Sequence, residues 1–143
     1  MDRREISARA AVLFGRIYDG LDARARKHDE SSYEGLTFAE ARALNAVARL
    51  QPLSLAELAA ATGVKSSAAS ITLERLVGKG LAERRQGAKD RRSVEITTTA
   101  RGRETFAAME RWTLEDSTNI LDTLDADEVE TFVAMLEKIA MGL

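Results

Sequence analysis

Apolar residues recur every three or four positions through most of this chain, the spacing that lines one face of an α-helix. Ile6, Ala10, Leu13, Ile17 and Leu21 form the first such stripe, and Phe14, Tyr18 and Ala25 widen it. The polar stretch from Arg24 to Gly35 then reads as fraying into a loop. Thr37-Phe38-Ala39-Glu40 has the form of a capping box, in which a hydroxyl and a carboxylate each satisfy a free backbone N–H. It predicts a second helix that buries Phe38, Ala41, Leu44 and Val47 and stops at Gln51-Pro52. Ser54-Leu55-Ala56-Glu57 repeats the cap and starts a short third helix carrying Leu55, Leu58 and Ala59. Thr62-Gly63-Val64 breaks the chain, because glycine tolerates the positive φ of a tight turn.

A fourth helix is predicted from Ser66 to about Lys79, with Ala69, Thr72, Leu73, Leu76 and Val77 on one face and Gly80 ending it. Two short β-compatible runs follow, Leu81 to Arg85 and Ser93 to Thr98, joined by a polar tip; they read as a hairpin. A fifth helix runs from near Thr99 to about Leu124 with a polar break around Asp116 to Asn119. Asp125 to Glu128 caps a sixth, with Val129, Phe132, Val133, Leu136 and Ile139 as its stripe. The fold class expected is mainly α with a small β-hairpin wing: a winged helix-turn-helix between long N- and C-terminal helices. Residues 36–98 are expected to be the winged domain, and residues 1–35 and 99–143 a helical dimerisation region.

Charge changes this picture more than composition does. The net charge of −2 at pH 7 argues against a polyanion partner only if charge is spread evenly. From Lys65 to Arg103 there are ten basic residues against four acidic ones, whereas the remainder has eleven against nineteen. An acidic body with a basic segment directs a polyanion to one face. With no cysteine, disulfides, thiolate nucleophiles and thiolate metal sites are excluded, and His28 is the single histidine, read as a solvated surface residue. No catalytic constellation, metal site or cofactor is expected. No apolar run approaches the length of a membrane span, and the N-terminus leads into an amphipathic pattern unlike a signal peptide, which points to the cytoplasm.

The order short helix, glycine turn, helix, hairpin is that of a helix-turn-helix, whose second helix enters the major groove. The face of the fourth helix opposite its core carries Ser67, Ser70, Ile71, Glu74 and Gly78, next to Ser66 at its start. Hydroxyls there can meet base edges, and Ile71 can pack on a thymine methyl. Glu74 has two readings: an acceptor from a cytosine amino group, or a partner of Arg75 or Lys79 on the helix surface. A flexible hairpin tip carrying Lys89, Arg91 and Arg92 suits the adjacent minor groove, with Asp90 orienting an arginine through a charge-assisted bond.

Ser54 to Ala59, Gly63-Val64, Leu73 to Leu81, and Asp90-Arg91-Arg92 followed by Thr99-Ala100-Arg101-Gly102 resemble the MarR family of bacterial regulators. The family's wing signature of an aspartate, an arginine, a threonine and a glycine is met by Asp90, Arg92, Thr99 and Gly102. The resemblance implies a homodimer whose first, fifth and sixth helices interleave, with two winged domains reading a pseudo-palindrome. It makes Arg92 the minor-groove arginine, Asp90 its orienting partner and the fourth helix the major-groove reader. The sequence departs from the family at Ile71, where many members are basic, so backbone affinity is expected to lean on Arg75, Lys79, Arg84 and Arg85. Apolar stripes on the terminal helices exceed what one winged domain covers, which independently favours a dimer.

The resemblance further implies repression relieved by a small aromatic or phenolic effector. Tyr18, His28, Tyr33 and Trp112 are the candidate ring residues for such a pocket, although Tyr18 and Trp112 also fit as core. The competing reading is a winged helix that assembles with proteins and has no specific DNA binding. Such a module has no need of a basic wing.

Overall fold

The computed structural model describes residues 2–27 and 34–143, with the side chains of residues 22 and 25–27 also left aside. The chain divides into two compact units, Met1–Met109 and Glu110–Leu143. The described elements are α1 (Arg3–Lys27), α2 (Phe38–Leu50), α3 (Leu55–Thr62), α4 (Ser66–Gly78), β1 (Ala82–Gln86), β2 (Val94–Thr98), α5 (Ala100–Leu121) and α6 (Ala126–Ala140).

The start signals act as their chemistry predicts. Thr37, Ser54 and Asp125 each accept from the backbone N–H three residues on, and Glu40, Glu57 and Glu128 each return a carboxylate to the cap's own N–H. The stop signals hold as well. Gln51 is the C-cap of α2 ahead of a cis Gln51–Pro52 bond, and Gly63 ends α3 in the left-handed region at φ 67°.

In the first unit, α2, α3, α4 and the hairpin enclose one core. Leu44, Leu58, Leu73, Leu76, Val47 and Ile96 are essentially inaccessible to solvent, and burying each is worth about 1.5–3 kcal/mol. Phe106 and Met109, in the first turns of α5, pack against that core. The strands pair antiparallel with Ala82 opposite Thr98, Arg84 opposite Ile96 and Gln86 opposite Val94. Ile96 also exchanges both backbone hydrogen bonds with Leu53, so β2 is flanked on its other side by the link between α2 and α3. Gln51 reinforces this link, its Oε1 accepting from both the N–H and the hydroxyl of Thr98 at 2.9 Å.

Two sequence expectations are corrected here. Phe38 is 59% exposed and not part of the α2 core stripe. Its ring lies under the Arg42 guanidinium, 5.9 Å from centroid to Cζ, while Glu40 and Ala43 take buried places on the helix. The break expected around Asp116 to Asn119 does not occur, and α5 is continuous to Leu121. Polar side chains on the exposed side of a helix leave its backbone ladder intact.

Helix α1 presents Ile6, Leu13, Phe14, Ile17, Tyr18 and Leu21 at 42–68% exposure. In the second unit α6 likewise leaves Phe132, Val133, Met135, Leu136 and Ile139 exposed.

Candidate nucleic-acid interface

Helix α4 buries Ala69, Leu73 and Leu76 and turns the opposite side outward. Ser66, Ser67, Ile71, Glu74 and Gly78 are exposed, with Ile71 at 56%, and Ser70 is half-buried at the edge of the same face. The helix starts at Lys65, an exposed N-cap with no side-chain cap of its own, so its first N–H groups face outward beside a cation. In the sequence Lys65 stands out only as the start of the basic segment, and its place ahead of α4 follows from the helix boundary.

The wing lies directly beside this face. Arg84 on β1 donates through Nη2 to Glu74 Oε1 at 2.6 Å, joining the strand to the outward side of α4. Glu74 therefore takes neither of the helix-surface partners expected of it, Arg75 and Lys79. The strand alternation sends Arg85 to the other side of the hairpin, where it pairs with Glu83 and stands opposite Glu95.

The hairpin tip closes through its own hydrogen bonds. Gly87 donates its N–H to the Ser93 carbonyl, and Ser93 donates both its N–H and its hydroxyl to the Asp90 carbonyl. Asp90 Oδ1 accepts the backbone N–H of Arg92 at 2.9 Å, the local turn that a short carboxylate side chain favours. Asp90 thus orients Arg92 through its main chain, not through the guanidinium. Lys89, Arg91 and Arg92 are exposed around this turn and form no ion pair among the described residues.

Thr99 and Gly102 fasten the wing to α5. The Thr99 hydroxyl donates to the Gly80 carbonyl at 2.6 Å and accepts the Gly102 N–H at 3.0 Å, so one side chain caps α5 and ties it to the turn after α4. The Thr99 N–H reaches the Leu81 carbonyl. Gly102 lies against that same carbonyl so closely that a Cβ would stand 1.9 Å from the oxygen.

Lys79, expected to serve backbone affinity, is occupied elsewhere. Its Nζ donates to Glu40 Oε2 at 2.6 Å, and that carboxylate is buried beneath α2 while it also receives the Thr37 N–H. Burial works to raise the Glu40 carboxyl, but the Lys79 hydrogen bond, the Thr37 N–H and the charges of Lys79 and Arg75 outweigh it and hold the pKa below its ordinary value. A depressed carboxyl contributes stability above the unfolded-state pKa, and that contribution is lost as pH falls through the folded one. Replacing Lys79 by methionine is expected to cost about 1–2 kcal/mol near neutrality, less than for a fully buried pair because Lys79 itself is partly solvated. Urea midpoints should show this deficit shrinking below about pH 4, where Glu40 is neutral in the unfolded chain. A deficit independent of pH would mean that the pair is not the source.

The sequence profile of the MarR family matches residues 34–93, the span from the loop before α2 to the end of the wing tip. Over that span the chain is similar to the MarR family. Along 83 residues it is 31% identical to the HTH-type transcriptional regulator BilQ of Clostridium symbiosum (strain WAL-14163), a stretch spanning 58% of each chain. The chain thus spans little more than half of that relative.

Solved structures share this fold over nearly the whole length. BldR from Sulfolobus solfataricus superposes with a TM-score of 0.76 at 23% identity, covering 100% of both chains. A MarR family transcriptional regulator from Silicibacter pomeroyi gives 0.75 at 22%, covering 99% and 93%. FabT of Streptococcus pneumoniae, solved in complex with DNA, gives 0.74 at 18%, covering 98% and 96%.

Of the other residues singled out in the sequence, Tyr18 is exposed on α1 in the first unit and Trp112 lies on α5 in the second. His28 and Tyr33 lie outside the described residues. Among the described residues no group of His, Asp or Glu is placed to hold a metal ion, and no helix is long and apolar enough to cross a membrane.

Proposed function

We propose that this protein is a member of the MarR family and a homodimeric, sequence-specific regulator of transcription that binds duplex DNA at a pseudo-palindromic operator. One observation carries the reading: the uncharged outward face of α4 at Ser67, Ser70 and Ile71 lies beside a wing whose tip exposes Lys89, Arg91 and Arg92. A helix fits the major groove, and cations on a projecting turn fit the minor groove next to it. Ser66, Ser67, Ser70 and Ile71 are then the base-edge residues. Lys65 and the uncapped start of α4 suit a phosphate, since free N–H groups and the helix dipole both favour an anion. FabT, a protein of the same fold, was solved in complex with DNA, which supports DNA binding as the reading.

Residues 1–35 and 99–143 form the dimerisation region in this reading, and residues 36–98 the winged domain. The apolar stripes left exposed on α1 and α6 support it, because monomers seldom keep so much aliphatic surface in water. A dimer seated over a promoter blocks polymerase, so the action proposed is cytoplasmic repression. In the same reading a small aromatic or phenolic effector relieves it.

The test is selection of genomic fragments by the purified protein, followed by footprinting. The expected site is an inverted repeat whose half-sites are centred about 34 Å apart, one turn of the duplex. Enrichment of unpaired half-sites, or of nothing, would contradict the reading.

A further inference from the structure

The surface shared by α4 and the wing is basic by composition but much less so by available charge. Arg84 is held by Glu74, Arg85 by Glu83 and Lys79 by Glu40. The Glu74 pair differs from the others in its location. Glu74 stands on the outward face of α4, in line with Ser67, Ile71 and Gly78, and its side chain is 62% exposed against 36% for Arg84. The residue that would look into a major groove is therefore the counter-ion of a cation that would otherwise grip phosphate.

Resting on the DNA-binding reading above, we propose that Glu74 is a specificity-determining residue that releases Arg84 to phosphate only at sites presenting a cytosine to it. When Arg84 leaves Glu74 for a phosphate, one ionic contact replaces another, and a bare carboxylate is left close to the polyanion. On arbitrary sequence that exchange brings little, since affinity there comes from cations newly neutralising phosphates. A cytosine changes the balance, because its N4 amino group donates into the major groove and satisfies the freed carboxylate. Adenine also has an amino donor, but the acceptor N7 beside it repels a carboxylate, and guanine and thymine offer acceptors at that edge. The pair thus lowers affinity for the wrong sequence by keeping Arg84 occupied.

The experiment compares wild type, Glu74→Gln, Arg84→Ala and the double variant by fluorescence anisotropy, on the footprinted duplex and on a random-sequence duplex, across a KCl series. Glu74→Gln is expected to tighten binding to the random duplex by about tenfold at low salt and to steepen its log K against log salt slope by about 0.9 per freed arginine. On the footprinted duplex it should erase a preference for cytosine of about tenfold at one base pair in each half-site. In the Arg84→Ala background the same substitution should leave random-duplex affinity almost unchanged. An equal gain in both backgrounds would overturn the proposal, since simple repulsion by Glu74 then suffices, and so would no gain in either. Failure of the underlying reading is distinct: wild type would then show no salt-dependent binding to either duplex.

Discussion

Alanine at Gly102 is expected to destabilise the protein by about 3 kcal/mol or more, the range of an overpacked buried site that cannot relax cheaply. The added Cβ would stand 1.9 Å from the Leu81 carbonyl oxygen and 2.9 Å from its carbon, and both are backbone atoms. Neither can move without disturbing the Thr99 N–H that bonds the same carbonyl, or the Leu81 N–H bond to Leu76 that closes the end of α4. The damage should therefore reach the wing and α4 together and weaken DNA binding in proportion to the lost anchorage. Gly78 is the control. It is also helical but has open space around its Cα, so alanine there should be neutral or stabilising by up to about 1 kcal/mol. Chemical denaturation of both variants gives the comparison, and similar stabilities would show that the close approach at Gly102 is not what holds the wing to α5.

The architecture was readable because its punctuation is local. Each capping box lies within four residues, and Gly63 and Gly80 both adopt the positive φ that only glycine takes without strain. The buried leucines of α3 and α4 follow from spacing alone. Phe38 was misread because periodicity cannot tell a side chain on the core edge from one lying under an arginine of the same helix. The ion pairs were beyond reach for another reason. Glu40 and Lys79 are 39 residues apart, and Glu74 and Arg84 are joined only once β1 folds back along α4. Such long-range pairs decide which basic residues carry a counter-ion, so the sequence could name Lys79, Arg84 and Arg92 alike but could not tell that, among the described residues, Lys79 and Arg84 are paired and Arg92 is not. The part of Asp90 was half legible: an aspartate two residues before an arginine signals orientation, but the atom it grips is the main-chain nitrogen.

Arg92 tests the central claim most directly, because its guanidinium is exposed on a turn whose backbone is already fixed by Asp90 and Ser93. Insertion into a narrow minor groove therefore has to order the side chain but not the turn that carries it. Replacing it by alanine should leave the turn and the folded stability unchanged while weakening binding to the footprinted duplex by about 1–3 kcal/mol. The log K against log salt slope should become shallower by about 0.9 for each copy in the dimer. The measurement is anisotropy of a labelled duplex titrated with wild type and Arg92→Ala at a series of KCl concentrations. A steep wild-type slope that the variant flattens is the result predicted, whereas binding indifferent to both salt and Arg92 would contradict the account.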